Sequence, residues 1–227
     1  MPSELPTYIF PIACLGMHAD FKYACKQYGL SWMIARYSIQ QHGEICSEGI
    51  EDAAGAFNLR VHDEIIEADY NHVKAEVGDR PALTSIHRDV FWEACRENPT
   101  FSGRDFRCLL AVNSIIGKKA YAKISYDFIR VRANGVTRTI RKPSGELDFS
   151  RKVSIFTPKS ELDENPLLKP LTEKQVRLAM QRLKERGFFN VVLRANRYRY
   201  YSNTLTEEEL VKRILEKVNG RKAVVRI

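Results

Sequence analysis

No apolar run in the sequence is long enough to cross a membrane, and no positively charged segment precedes the short N-terminal apolar stretch IFPIACLG. The first absence argues against a transmembrane helix and the second against a secretory signal peptide. The five cysteines are irregularly spaced and include no Cys-x-x-Cys pair, which favours a reducing compartment over a disulfide framework. We therefore expect a cytoplasmic protein with no membrane partner.

The sequence also lacks the common catalytic motifs. It contains no phosphate-binding glycine loop, no dinucleotide-binding fingerprint and no serine-nucleophile elbow. Its histidines and cysteines do not form the paired ligand spacing of structural zinc sites. We predict no catalytic residues, no metal and no cofactor. The segment from His62 to Glu64, with Asp69 beyond it, is the weak exception, since a metal-dependent nuclease gathers carboxylates beside the scissile phosphate.

Charge is divided unequally along the chain. Residues 1–100 carry 8 Lys and Arg against 15 Asp and Glu, a net charge of −7, whereas residues 101–227 carry 28 against 13, a net charge of +15. A positive density of this kind is typical of polyanion binders, because each phosphate contact releases counterions. Phosphates would repel the acidic half, so we expect it to mediate self-association, as in a dimer, or to bind a protein partner.

The acidic region, residues 1–80, is predicted to be helical. Residues 19–28 indicate one helix that Gly29 breaks, and Ser31 is placed to cap a second helix through Gln41. From Cys46 the pattern predicts two further helices joined by a turn near Asn58. In the second of these, Ile65, Ile66 and Val73 are expected to face inward. The stretch GDRP at residues 78–81 predicts a domain boundary.

Residues 81–157 are predicted to form a basic helix-turn-helix-like domain. The pattern indicates a helix over residues 85–97, a second helix that ends at Gly117, and a third that Ser125 caps. A β-hairpin is predicted to follow over residues 136–156, turning at PSG.

Residues 158–227 contain the strongest local signals. Thr172 and Gln175 have the spacing of a capping box, and four apolar residues then follow on one helical face over residues 174–186. Gly187 is predicted to end this helix, after which an aromatic strand, a turn and the arginine-rich strand RYRYY should form a hairpin. Thr206 and Glu209 predict a closing helix that ends near Gly220.

This order of helix, tight stop, aromatic strand and arginine-rich hairpin resembles the second half of a winged helix-turn-helix DNA-binding domain. The resemblance implies that the helix over residues 174–186 enters the major groove and that the hairpin contacts the backbone or the minor groove. One departure is that the helix expected before it has only SELDENPLLKP in which to form, and Pro166 and Pro170 restrict it to a turn or two.

The predicted fold class is mainly α with small β-hairpins, namely a helical N-terminal region followed by one or two winged helix-turn-helix units. The predicted function is a sequence-specific double-stranded DNA-binding transcriptional regulator, bacterial, phage or plasmid, associated with the nucleoid. The alternatives are a plasmid or phage replication initiator and a metal-dependent DNA-processing enzyme, and the alternation of arginine with tyrosine also suits single-stranded nucleic acid. The predicted DNA-contacting residues are Lys118, Lys119, Lys123, Tyr126, Arg130, Arg132, Arg138, Arg141, Lys174, Gln175, Arg177, Gln181, Arg194, Arg197 and Arg199.

Overall fold

The computed structural model describes residues 7–18, 20–135, 171–194 and 198–224. The described part of the chain is mainly helical, as the sequence predicts, and carries two small antiparallel sheets. The predicted hairpin over residues 136–156 lies outside the described residues.

The elements of the N-terminal half surround one strand pair. In chain order they are β1 (Thr7–Pro11), a 3₁₀ turn (Ile12–Gly16), α1 (Phe21–Ala24), a π-helical turn (Cys25–Gly29), α2 (Leu30–His42), α3 (Ser47–Phe57), α4 (Asp63–Val77), β2 (Leu83–His87) and α5 (Arg88–Cys95). Strand β1 pairs with β2, and Tyr8 and Phe10 of β1 are fully buried.

The predicted helix break at Gly29 is wrong. Gly29 has helical dihedral angles, and the chain passes through it from the π-helical turn into α2. A Cβ at this position would lie 3.1 Å from Cδ2 of Phe10, so the glycine lets β1 approach the helix closely. The predicted Ser31 cap is also wrong, because the helix is continuous there and has no N-terminus to cap. Ser31 Oγ instead donates a hydrogen bond of 2.9 Å to Asp69 Oδ2 of α4.

The predicted helix pair around Asn58 is confirmed as α3 and α4. Asn58 adopts the left-handed conformation, with φ of 51°, and ends α3. Ile66 and Val73 are buried as expected, but Ile65 is 40% exposed, so its predicted inward position is wrong. Tyr70 takes the inward position one turn after Ile66.

The helix predicted over residues 85–97 is shorter than expected. Residues 85–87 belong to β2, and the helix α5 begins at Arg88. Thr84 of β2 is buried and donates a hydrogen bond of 2.7 Å to the carbonyl of Leu110, which attaches the strand to the next helix. Tertiary pairing with β1 therefore outweighs the local helical pattern.

In the described part of the C-terminal half, four helices lie around a second sheet. The elements are α6 (Gly103–Ile116), β3 (Ala122–Lys123), α7 (Tyr126–Ala133), α8 (Glu173–Glu185), β4 (Asn190–Arg194), β5 (Tyr198–Ser202) and α9 (Glu207–Val224). The strand order is β3-β5-β4, and both neighbours run antiparallel to β5. Tyr201 lies opposite Ala122 on one side and Val191 on the other, so residues far apart in sequence form one sheet.

The capping signals of this half are confirmed. Thr172 Oγ1 accepts from the Gln175 amide, and Gln175 Oε1 accepts from the Thr172 amide, which together form the predicted capping box of α8. Gly187 has a φ of 76° after the helix ends. The predicted Thr206–Glu209 box also forms, but α9 continues past Gly220 to Val224.

Both predicted domain boundaries separate segments that are paired in the structure. Strand β1 lies before residue 80 and its partner β2 after it, while β3 lies before residue 157 and its partner β5 after it. The division into residues 1–80, 81–157 and 158–227 stays a prediction, which must accommodate these two pairings.

Replacement of Gly135 with alanine is expected to destabilise the fold. Gly135 follows α7 with a φ of 74°, and a Cβ there would lie 2.8 Å from the backbone nitrogen of Gly16. A left-handed alanine and a backbone shift should together cost about 2 kcal/mol or more of unfolding free energy. The control is Gly55→Ala on α3, where nothing lies within 4 Å and a gain of up to about 1 kcal/mol is expected. Urea unfolding of both variants checks this order, and a Gly135→Ala protein as stable as Gly55→Ala would contradict it.

One of the five cysteines, Cys46, is expected to react with thiol reagents in the native protein, and the other four are expected not to react. Cys14, Cys25, Cys95 and Cys108 are buried, and Cys46 is partly exposed. Burial raises the pKa of Cys95 to about 11 and that of Cys108 to about 12, so neither forms a thiolate near neutral pH. We expect one fast thiol in a native titration with Ellman's reagent, lost in Cys46→Ser, and five in urea. Several fast thiols in the native protein would contradict the burial.

Candidate nucleic-acid interface

Helices α6, α7 and α8 contact one another and form the support of the basic region. Arg107 of α6 is buried and donates from Nε to the carbonyl of Ala133, with a second bond from Nη2 to Asn134 Oδ1. Burial lowers the pKa of Arg107 to about 10, so it remains charged at neutral pH. These bonds fasten the C-terminal end of α7 to α6.

A second pair fastens α8 to α6. Arg182 Nη2 lies 2.5 Å from Asp105 Oδ1, and Arg182 Nε lies 3.0 Å from Asp105 Oδ2. The Asp105 side chain is only 2% exposed, and its hydrogen bond raises the pKa of Arg182. Because a two-pronged arginine–carboxylate contact fixes direction as well as distance, this pair sets how α8 lies on α6.

The outward face of α8 is mostly polar and carries cationic residues, although Leu178 is also 45% exposed. Val176, Ala179, Met180 and Leu183 are buried, as the sequence predicts. Lys174, Arg177 and Gln181 are exposed at positions three or four residues apart. Arg177 pairs with Glu173 at 2.9 Å, and Gln181 Nε2 donates to Glu185 Oε1 at 2.9 Å. The predicted base-reading residue Gln175 uses its Oε1 in the capping box.

Tyr126 brings together two of the predicted contact residues. It is the first residue of α7, immediately after the Ser125 cap, whose Oγ accepts from the Phe128 amide. The guanidinium carbon of Arg199 lies 4.3 Å from the Tyr126 ring centroid, and that of Arg177 lies 5.9 Å from it. One aromatic ring therefore joins α7, α8 and β5, and we call these three residues the Tyr126 cluster.

The alternation of arginine and tyrosine on β5 separates the two faces of the strand. Tyr201 is 2% exposed and shares a face with Arg199, while Tyr200 lies on the other face opposite Lys123. The face that carries Arg199 is therefore turned toward the helices. Arg194 is the last residue of β4, and Arg197, Arg138 and Arg141 lie outside the described residues.

The remaining predicted contacts on α7 and its neighbours do not join the Tyr126 cluster. Arg130 donates from Nε to the carbonyl of Leu171 at 2.7 Å and pairs with Asp127 at 3.1 Å. Arg132 lies two residues farther along α7, on the opposite side of the helix, with its guanidinium carbon 5.4 Å from the Phe128 ring centroid. Lys119 and Lys123 line a cavity with Arg132, and Lys118 is exposed in the loop before β3.

The acidic residues that suggested a nuclease have other contacts or remain apart. Asp69 accepts hydrogen bonds from Gln27 Nε2 at 2.6 Å and from Ser31 at 2.9 Å, so its carboxylate binds α4 to the preceding helices. Within the described ranges, no three His, Cys, Asp or Glu side chains come together as they would around a metal ion.

Comparisons of the chain with protein-family models, with curated proteins and with solved structures found no match. None of the helices in the part of the chain that the structure describes combines the length and the apolar character needed to cross a bilayer.

Proposed function

We propose that the chain binds duplex DNA through a single winged helix-turn-helix unit, formed by α6, β3, α7, α8, β4 and β5, and acts as a sequence-specific transcriptional regulator. In this unit α8 is the recognition helix, and α7 takes the place of the helix sought in SELDENPLLKP. The contacts of α7 with α8 and the bond from Arg130 to Leu171, one residue before the α8 cap, support this assignment. This is the single-unit form of the sequence prediction; the hairpin of the other predicted unit and the SELDENPLLKP segment lie outside the described residues.

The observation that carries the proposal is the Tyr126 cluster. Two guanidinium groups, one from the outward face of α8 and one from the hairpin, lie beside the same ring. A guanidinium held against an aromatic face loses less conformational freedom when it binds, and its planar donors suit phosphate oxygens and guanine edges. The cluster thus links the element that would read bases to the element that would hold the backbone.

The outward face of α8 supplies the residue types that base recognition requires. Lys174 and Arg177 suit the guanine acceptors, and Gln181 suits the donor–acceptor pair of adenine. All three are exposed while the opposite face of α8 is buried. An α-helix fits the width of the major groove, so these side chains could reach base edges while the hairpin contacts phosphates.

The acidic N-terminal half would serve association, and we propose that the regulator forms a dimer or binds a protein partner through it. Repulsion from phosphates directs this half away from DNA. We propose that the protein is cytoplasmic and associates with the nucleoid. Sedimentation of the purified chain tests the dimer directly, since a monomer at all concentrations would leave only the protein-partner form of this proposal.

Fluorescence-anisotropy titrations across a salt series test the proposed function. The probes are a random duplex, one of its single strands and an RNA of the same sequence. We expect the tightest binding to the duplex. The logarithm of its binding constant should fall, for each contacted phosphate, by about 0.9 for every tenfold rise in salt concentration. Tighter binding to the single strand or to RNA would contradict the proposal and would favour base stacking on the exposed tyrosines.

A further inference from the structure

The structure contains a cavity that the proposed DNA interface does not use. Its volume is about 650 Å³, within the range of small-molecule sites. The walls come from the end of α6, from β3 and the residue before it, from α7, from β5 and from α9. Residues that contribute to the argument are Ser114, Lys119, Tyr121, Lys123, Arg132, Tyr200 and Lys217.

The charged side chains that line the cavity have one sign among the described residues. Lys119, Lys123, Arg132 and Lys217 line it, and no Asp or Glu does among the described residues. Cations such as Lys119, Arg132 and Lys217 around one concave site raise the local potential, because the low-dielectric walls confine the field. An anion with several negative charges is the ligand that such a site would stabilise most.

Arg132 has hydrogen-bonding capacity that the described residues do not use. Its Nε and Nη1 atoms are buried and have no hydrogen-bond partner among them, and the same is true of Ser114 Oγ. A buried donor without a partner costs about 1–3 kcal/mol, and more for a charged group. Burial also lowers the pKa of Arg132. A phosphate in the cavity would place negative charge beside this guanidinium.

Two aromatic rings complete the cavity. The Tyr121 and Tyr200 ring centroids are 6.2 Å apart, at an interplanar angle of 61°, and Lys217 Nζ lies 5.7 Å from the Tyr121 centroid. A planar base stacks on rings of this kind without a requirement for one sequence or one base. The volume also exceeds the needs of an inorganic phosphate, which leaves room for a nucleoside.

The cavity and the Tyr126 cluster lie on opposite sides of the same two elements. Phe128 and Arg132 of α7 line the cavity, whereas Tyr126 at the start of that helix contacts Arg177 and Arg199. On β5, Tyr200 faces the cavity and Arg199 faces the helices. A ligand in the cavity would therefore leave the proposed DNA interface open.

We propose that this cavity binds a nucleoside polyphosphate, with the phosphates among Lys119, Arg132 and Lys217 and the base against Tyr121 and Tyr200. The site goes beyond the proposed DNA binding and does not depend on it. Its phosphate chemistry is shared with a nucleic-acid strand, so the experiment has to distinguish a free nucleotide from a strand.

Titration of the full-length chain with an ATP analogue fluorescent at the ribose tests the site. We expect saturable binding by the wild type and an affinity at least about tenfold lower in Lys217→Glu and in Lys119→Glu, since each reversal places a negative charge beside the phosphates. Both lysines are exposed, so neither change disturbs the core. The matched control is Lys212→Glu, an exposed position on α9 outside the cavity, which should bind as the wild type does.

Competition identifies the ligand class. Unlabelled ATP or GTP should displace the probe, and inorganic triphosphate should do so at least tenfold less well, because it lacks the base. Equal displacement by triphosphate would overturn the nucleoside part of the proposal. Displacement by a single-stranded oligonucleotide but not by ATP, no saturable binding by the wild type, or equal loss in Lys212→Glu would each overturn the site. Duplex affinity is measured separately, so failure here leaves the DNA proposal intact.

Discussion

Replacement of Arg182 with methionine is expected to lower the free energy of unfolding by about 3 kcal/mol. The change leaves the Asp105 carboxylate, which is 2% exposed, without its two-pronged partner. Breaking a buried pair by removing one member costs about 3–5 kcal/mol, because an uncompensated charge stays in the interior. The lower end applies here since Arg182 itself is 41% exposed and water reaches the pair.

Urea unfolding measures the loss of stability in Arg182→Met. Two further variants test whether the loss comes from the Asp105–Arg182 pair. Lys184→Met alters an exposed residue on the same helix and should change stability by less than about 0.5 kcal/mol. Asp105→Leu combined with Arg182→Met removes both charges and should recover most of the loss. An Arg182→Met protein as stable as Lys184→Met, or a double variant less stable than Arg182→Met, would show that the pair does not hold α8.

Removal of the two cluster arginines is expected to have different effects on DNA binding. Arg177→Ala should weaken binding to the preferred duplex by about 1–3 kcal/mol, roughly 5- to 150-fold, with a much smaller loss on random duplex, because α8 carries Arg177 toward base edges. Arg199→Ala should weaken preferred and random duplexes alike and reduce the salt slope by about one unit, because it loses a phosphate contact.

A matched control accompanies these titrations. Arg213→Ala removes one positive charge from the exposed surface of α9, a helix that contributes no residue to the Tyr126 cluster, and should leave the affinity for the preferred duplex within about twofold of the wild type. Arg177→Ala and Arg199→Ala with equal losses on both duplexes would remove the distinction between base reading and backbone contact. Losses no larger than that of Arg213→Ala would place the interface elsewhere.

The sequence predicts most reliably what short-range chemistry determines. The Thr172–Gln175 box, the buried stripe of α8 and the Ser125 cap of α7 depend on residues three or four positions apart, and all are confirmed. The turn at Asn58 is local as well, and it is found between α3 and α4. These features need no knowledge of what packs against them.

Features that depend on distant segments were not predictable in the same way. In the sequence, Gly29 has the appearance of a residue that ends a helix. In the structure it lies within a helix, where the absence of a side chain leaves space for Phe10 of β1. Residues 85–87 have a helical pattern but are recruited into β2 by β1. Strand pairing of this kind is decided by tertiary partners, which the local sequence does not contain.

The candidate site was predictable in its composition but not in its arrangement. Charge and residue type pointed to the basic residues of α7, α8 and the hairpin. Only the fold shows that Tyr126 unites Arg177 with Arg199, whereas Arg132 and Lys123 face a cavity. The buried pair of Asp105 and Arg182 was missed because its members are 77 residues apart.

Selection from a random duplex library, performed in parallel with the wild type and Arg177→Ala, tests most directly whether α8 reads DNA sequence. The account predicts that the wild type enriches one motif and that Arg177→Ala enriches the same motif with its preference relaxed at one position. A wild type that enriches no motif, or an Arg177→Ala protein whose preferences are unchanged at every position, would contradict it.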